Sequence, residues 1–511
     1  MTHFTAWRLL AAACFAALPA PTAIAQVIHV LPYVQPGDGR TLTGMDVKVI
    51  RWLTDQSPGN FVVEYQAAAG PVRTATPTRI ALDFPALEVS KKGAAKPPEP
   101  KKVDPDDDPK EKKEPRVPPP PEGEQHYFRY TAYLKDLPFN TDISYRVKLA
   151  GRVIREATFR TRATADKSVR CVLVGDLAQG RPYQRAVAYQ ISRQKPEFLV
   201  ALGDIVYSTG RVNQYMHYFW GTYNNVSQAG PETGAPLMAS IPFYPVLGNH
   251  DVSAKLAKVP DAFAAYYFFA PPKGGPGEGP WITPLDADES REAQFRAATK
   301  DSYPNLDAYS FDYGPAHFVV LNNNPAMKIE APEFSRWLRA DLKATKARWK
   351  LVCFHMPGFN SARQHYTEQQ IRPLSPLFEE CGVDMTFAGH VHNYQRTVPL
   401  KFAPGPRGEK KGKVDGVFTL DTLFDGKMNT VPRGIINIVS GGGGASLYGP
   451  GLDKTAETLR RVHGANYADF TAKMVVDQHS FVQLDIAPDR LELRAISVTG
   501  DELDRIAITK K

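Results

Sequence analysis

Two hydrophobic rhythms divide the chain. From Gln26 to about Arg162 apolar and polar residues alternate, as in Asp46-Val47-Lys48-Val49-Ile50-Arg51-Trp52 and Asn60-Phe61-Val62-Val63-Glu64-Tyr65. Tyr127–Leu134 and Ile143–Leu149 carry the same period. A repeat of two buries one face of a strand and wets the other, so this region reads as all-β. Near Ala163-Thr164-Ala165-Asp166 the rhythm changes. Beyond it, short apolar runs alternate with longer connections, the mark of α/β organisation.

Those runs end alike. Val169–Val174 ends at Gly175-Asp176, and Phe198–Leu202 ends at Gly203-Asp204 with Tyr207 three residues on. Phe243–Leu247 ends at Gly248-Asn249-His250-Asp251, Trp349–Phe354 at His355, and Val383–Ala388 at Gly389-His390-Val391-His392. In α/β sheets ligands collect at the carboxyl ends of strands. Each end here offers an oxygen or nitrogen donor, and most are introduced by a glycine that frees the turn. An extended backbone would point His390 and His392 to opposite sides, so the turn begun at Gly389 must bring them round.

Composition narrows the class. The chain has 511 residues, 43% of them hydrophobic, and a formal charge of +8. Its pI is near 9.0 and its mean hydropathy is −0.34, values of a soluble globular protein with room for two or three domains. The positive balance reads as solvated surface charge. Without a basic helix or an aromatic–basic stripe, no nucleic-acid binding module is expected. Met1–Ala25 joins Arg8, an apolar core from Leu9 to Leu18 and Thr22-Ala23-Ile24-Ala25 before Gln26. That is the pattern of a secretory leader, which places the mature protein in the periplasm or outside the cell without a stable membrane anchor. Lys91 to Gln125 is rich in Lys, Glu, Asp and Pro, buries too little to offset its ordering entropy, and reads as a disordered loop between two strands. Past the leader the cysteines are Cys171, Cys353 and Cys381, a sparse odd set of small hydrophobes and no disulfide framework.

The donors at the strand ends are carboxylates, an amide oxygen, a phenol and imidazoles, which suit hard or borderline cations. They are too many for one ion and about right for two that share a carboxylate. Two cations roughly 3.5–4 Å apart clamp the attacking and leaving oxygens of a displacement at phosphorus.

In their order, Gly-Asp, Gly-Asp-X-X-Tyr, Gly-Asn-His-Asp, Val-X-X-His and Gly-His-X-His resemble the calcineurin-like metallophosphoesterases. Tyr207, the stretch Tyr309–Phe318 and Asn393-Tyr394-Gln395-Arg396 narrow the resemblance to the purple acid phosphatases. It runs from Val169 to about Ile496. It implies a four-layer αββα catalytic domain over 167–511 that hydrolyses small phosphate monoesters by in-line attack of a metal-bound hydroxide. Residue by residue, it implies a ferric site of Asp176, Asp204, Tyr207 and His392. A second site, for divalent iron, zinc or manganese, would be Asp204, Asn249, His355 and His390, with Asp204 shared. A phenolate and carboxylates concentrate negative charge on one ion, which agrees with Fe(3+) there. His250 is similar to the family's phosphate-contacting or acid histidine. His365, within Phe359–Glu368, is similar to one that helps the leaving oxygen depart as a general acid. Plant-type members carry a fibronectin III-like domain, which residues 26–163 resemble. There the turn Lys135–Thr141 leads into Tyr145 in the manner of a tyrosine corner.

The chain also departs from the family. Ala178 stands where glycine is usual and Gln395 where glutamate is common. The inserts Gly274–Asp301 and Phe402–Val431 have no clear counterpart, and at the entrance they would set substrate choice. His217, His463 and His479 read as structural, and Gly441–Gly444 as a strand-end turn near the site, since no Lys-Ser/Thr follows it. If Tyr207 only packs, the enzyme would be a colourless manganese or zinc one. Two rivals stand beside the monoesterase. One is a phosphodiesterase acting on nucleotides or phospholipid headgroups, the other a surface-binding protein with a vestigial hydrolase domain.

Overall fold

The computed structural model describes residues 26–68, 70–84, 123–225, 228–252, 262–300, 302–407, 412–448 and 469–510. The expected leader, residues 91–122 of the expected insert and His463 lie outside the described residues.

The alternating region forms β1 (Ile28–Gln35), β2 (Asp46–Thr54), β3 (Phe61–Ala67), β4 (Arg73–Ala75), β5 (Thr78–Phe84), β6 (Gln125–Leu137), β7 (Asp142–Leu149) and β8 (Arg152–Arg160). They make two antiparallel sheets, ordered β1-β2-β6-β5 and β4-β3-β7-β8. In β7 the period is literal: Ile143, Tyr145 and Val147 are buried, while Ser144 and Arg146 are exposed. Between the sheets Trp52 stacks on Tyr130 at 5.3 Å, and Phe61 packs against both. Gln125, expected in the insert, is the first residue of β6.

Tyr145 makes no tyrosine corner. Its hydroxyl donates to Ala239 O at 2.8 Å, far along the chain rather than a few residues upstream. Strands β1 and β8 pack on Leu237–Ala239, so the nearest acceptor for this buried phenol lies across the junction. The junction is polar as well as apolar. Tyr33, Arg129 and Arg51 donate to three successive carbonyls, of Phe268 (2.8 Å), Tyr267 (2.7 Å) and Phe269 (2.8 Å).

A buried histidine beside the junction sits between two carboxylates. His317 lies between Asp312, 2.7 Å from its Nδ1, and Asp341, 2.9 Å from its Nε2, and Asp341 also pairs with Arg40 of the first region. Burial opposes the imidazolium, but the two carboxylates outweigh it and raise its pKa. A raised folded value means the stabilisation is complete below about pH 6.5, the unfolded value, and is lost as pH climbs through the folded one. His317→Gln should therefore cost about 3 kcal/mol at pH 6 and flatten the fall of Tm as pH rises above about 6.5. Equal slopes in the two proteins would refute this.

The second region builds two mixed sheets. One is ordered β11-β10-β9-β21-β22-β23 from β9 (Val169–Val174), β10 (Phe198–Ala201), β11 (Phe243–Pro245), β21 (Ser480–Ile486), β22 (Arg490–Ser497) and β23 (Glu502–Thr509). The other is ordered β12-β13-β14-β15-β19-β16-β20. Its strands are β12 (Ala308–Tyr313), β13 (Ala316–Leu321), β14 (Trp349–Cys353), β15 (Met385–Ala388), β16 (Tyr394–Thr397), β19 (Ile436–Ser440) and β20 (Thr471–Val475). A separate hairpin joins β17 (Leu400–Arg407) to β18 (Val414–Leu420).

The sheets face each other. Phe198 meets Phe311 and Phe318 edge-on, and Tyr244 stacks on Phe311 at 3.8 Å. Side chains alternate across the second sheet: Phe318, Val320 and Leu351 enter this shared core, while Val319, Leu321 and Val352 face the helix Pro332–Ala344. That helix opens on Pro332, whose fixed φ suits a first turn, and turns Phe334, Leu338 and Leu342 inward at four-residue spacing. Cys171, Cys353 and Cys381 are buried free thiols. Among the described residues no helix is long and apolar enough to cross a membrane.

The apolar runs with donor ends are thus split between the sheets. Strands β9, β10 and β11 are parallel neighbours in one, and β14 and β15 in the other. Their carboxyl ends meet where the sheets come together.

Candidate metal centre

Sharp backbone turns aim the side chains. Asp176 (φ 63°), Asp204 (φ 49°), His365 (φ 58°) and His390 (φ 69°) all adopt the left-handed region. Each such residue costs about 1–2 kcal/mol, a cost that persists where surrounding structure over-determines the turn. Gly203 (φ 89°) leaves no such choice, because a Cβ there would run into the ring of His355.

The expected ligands come together in two adjacent groups. In the first, Tyr207 donates to Asp176 Oδ1 at 2.9 Å, and its hydroxyl lies 3.0 Å from His392 Nε2. That nitrogen is 3.3 Å from Asp176 Oδ1. In the second, His355 Nε2 lies 3.1 Å from Asn249 Oδ1 and 3.2 Å from Asp204 Oδ2. Asp204, His355 and His390 present donor atoms all within 4.8 Å of one another. The groups are tied by backbone, since Asp176 N donates to Gly203 O (3.0 Å) and Leu177 N to Asp204 O (2.9 Å). His250 stands beside them, its N donating to Asp204 Oδ1 (2.8 Å) and its Nδ1 2.7 Å from Ser208 O. His365 lies further out, with its ring 4.0 Å from that of His390.

Each inward imidazole is held by its other nitrogen. His355 Nδ1 is 2.7 Å from Leu202 O, His392 Nδ1 is 2.6 Å from Ser446 O, and His390 Nε2 is 2.8 Å from Glu368 Oε2. Such outer partners fix the tautomer and orientation of metal-binding histidines. The electrostatics agree. Burial would raise the Asp204 carboxyl, but His355, His250 and His390 hold it well below the usual carboxylate range. Burial would lower His355, but Asp204 raises it to about 9. Burial, with the neighbouring His365, lowers His390 to about 4 despite Glu368. A largely buried, preset array of carboxylate, phenol, amide and imidazole donors fits a pair of hard or borderline cations.

Several residues at the site have no role in the sequence reading. Glu368 places one carboxylate oxygen on His390 and the other 2.8 Å from His365 Nδ1. Its only mark in the sequence is its place three residues after His365. Asp251 accepts from Ile205 N (3.0 Å) and Gly248 N (2.9 Å), so one buried carboxyl clamps the β10 and β11 loops. Burial, with the charge of Asp204, pushes it up to about 7. Ser446 and Tyr448 reach the site because the turn Gly441–Gly444 follows β19 past Asp176: Gly443 N donates to Gly175 O (3.1 Å) and Ala445 N to Asp176 O (2.9 Å).

The departures also find places. Gln395 donates from Nε2 to Asn360 Oδ1 (3.0 Å) and Asn393 Oδ1 (2.9 Å) and accepts from Ser361 N (2.7 Å). A glutamate could not supply those two donations. Ala178 avoids the left-handed region and pairs with Val206. The hairpin β17–β18 buttresses the loop that carries His365: Val414 N donates to Gln369 Oε1 (2.9 Å), and Arg372 donates to Val414 O (3.0 Å) while lying over Phe359, Phe402 and Phe418. The described part of the other insert carries the helix Glu289–Thr299, which packs against β5. His479 is buried, with its ring 4.3 Å from that of Tyr183.

Residues 169–394 match the calcineurin-like phosphoesterase family model, a family that implies a binuclear metal site. The chain is 26% identical to purple acid phosphatase 18 of Arabidopsis thaliana over 230 residues, which are 44% of each chain. It is 26% identical to purple acid phosphatase 1 of Ipomoea batatas over 285 residues, 53% of each. It therefore spans about half the length of these relatives. The solved purple acid phosphatase PPD1 of yellow lupin (Lupinus luteus) seeds shares the fold at a TM-score of 0.60 and 15% identity, covering 94% of this chain and 74% of that one.

Proposed function

We propose that the protein hydrolyses phosphate monoesters. A ferric ion would be held by Asp176, Asp204, Tyr207 and His392, and divalent iron, zinc or manganese by Asp204, Asn249, His355 and His390. The observation that carries this reading is the convergence of two donor groups on neighbouring strand ends, each imidazole already anchored from behind. A cation pair held there offsets the charge of a phosphate ester and makes water nucleophilic near neutral pH. The remaining chemistry belongs to the side chains. His250, whose Nδ1 is 2.7 Å from Ser208 O, contacts a phosphate oxygen of the substrate. His365 gives a proton to the leaving oxygen. The names of the plant relatives support the monoesterase. We read residues 1–25 as a leader to the periplasm or exterior. We read 26–163 as a fibronectin III-type sandwich and 167–511 as a catalytic domain layered αββα.

The purified protein should carry about two metal ions per chain, iron among them. It should show a visible tyrosine-to-iron band that Tyr207→Phe abolishes, and hydrolyse p-nitrophenyl phosphate faster than bis(p-nitrophenyl) phosphate. Fewer than one ion per chain would defeat the reading. Faster diester hydrolysis would make the protein a phosphodiesterase, and a colourless active enzyme would replace iron with zinc or manganese.

A further inference from the structure

Three of the site's histidines meet on one side chain that supplies no metal donor. Tyr448, buried to 1% exposure, lies flat on His392 with ring centroids 4.4 Å apart and planes 4° from parallel. Its hydroxyl is 3.0 Å from His365 Nε2 and 3.3 Å from the carbonyl oxygen of His390. Ala362, Val391 and Val439 pack around it.

The hydrogen-bond logic assigns each atom. The Glu368 carboxylate can only accept, so it takes His365 Nδ1 as a donor at 2.8 Å and leaves Nε2 for Tyr448. A hydroxyl both donates and accepts, so it holds that nitrogen in either ring state. It also has a second acceptor in His390 O, to which it can turn when Nε2 engages a substrate oxygen.

We propose that Tyr448 is a positioning residue that couples the two halves of the site. Its hydroxyl keeps the His365 ring in the orientation from which Nε2 meets the leaving oxygen. Its ring fixes the imidazole plane of His392 on the Tyr207 side. The first half rests on the assignment of His365 as the acid, and the experiment separates the two.

Tyr448→Phe keeps the stack and removes only the hydroxyl. A general acid matters most when the leaving oxygen is basic, and its whole contribution is typically 10²–10⁴-fold. Losing the hydroxyl should forfeit part of that, lowering kcat about 10-fold on phenyl phosphate and less than about 2-fold on p-nitrophenyl phosphate. KM and bound metal should be unchanged. His365→Ala should show the same leaving-group dependence, enlarged. Tyr448→Leu, which also loses the stack, should lose metal on dialysis against a weak chelator, read by elemental analysis. If His365→Ala is sensitive to the leaving group and Tyr448→Phe is not, or slows both substrates equally, this proposal falls alone. If His365→Ala is itself insensitive, the acid assignment falls and takes the proposal with it. Tyr448→Leu retaining metal like the parent would overturn the second half.

Discussion

Asp204→Asn lowers turnover by about a thousandfold or more while the protein still folds, because the lost interactions amount to several kcal/mol of transition-state stabilisation. The fold survives for a local reason. Asp204 sits at φ 49°, and asparagine is among the few residues that share aspartate's tolerance of that region. The amide oxygen can also keep the bond from His250 N, now 2.8 Å to Oδ1. What cannot be kept is the charge. The carboxylate is buried and faces His355, His250 and His390, which together hold it ionised. An amide there would turn its NH2 toward the His355 nitrogen now 3.2 Å from Oδ2 and give up the one anion assigned to both cations. Elemental analysis should show the metal content falling with the activity. Near-normal turnover with full metal would remove Asp204 from its bridging place.

How much of this was legible in the chain depends on the range of each interaction. Alternation is a local property, and it located β7 to within one residue. The strand-end donors were legible for the same reason: Asp176, Asp204 and Asn249 each follow their strand within a few residues, so strand and donor are read together. Burial of the three cysteines follows equally from the runs they sit in or beside. Long-range partners were not legible. Tyr145 has the local setting of a tyrosine corner, yet its hydroxyl is claimed by Ala239, which only the docked sheets bring near. Ser446 anchors His392 from 54 positions away, and no spacing rule connects them. Glu368 was within view, three residues from His365, but its second oxygen is spent on His390 from another strand end. The split of the donor ends between two sheets was hidden as well, because a parallel strand carries no mark of its neighbour.

Gly203→Ala should lower activity by about a hundredfold or more and destabilise the protein by more than the backbone term alone. The backbone term is measurable separately. Gly382, in the turn before β15, also has a positive φ, 70°, but a Cβ there would meet nothing within 4 Å. Gly382→Ala should therefore cost only the left-handed penalty, about 1–2 kcal/mol, with activity kept. At Gly203 the added methyl would press on the His355 ring and lie 2.9 Å from Gly248 N. Neither neighbour can yield cheaply. The imidazole is pinned through Nδ1 to Leu202 O at 2.7 Å, and Gly248 N is bonded to Asp251 at 2.9 Å. Moving the ring would pull Nε2 away from Asn249 and Asp204, so a steric change on one strand end reaches the donors of two others. Thermal unfolding and turnover of the two variants, measured side by side, decide the matter. If Gly203→Ala loses no more activity than Gly382→Ala, the close approach at this turn is not what holds the second group of donors in place.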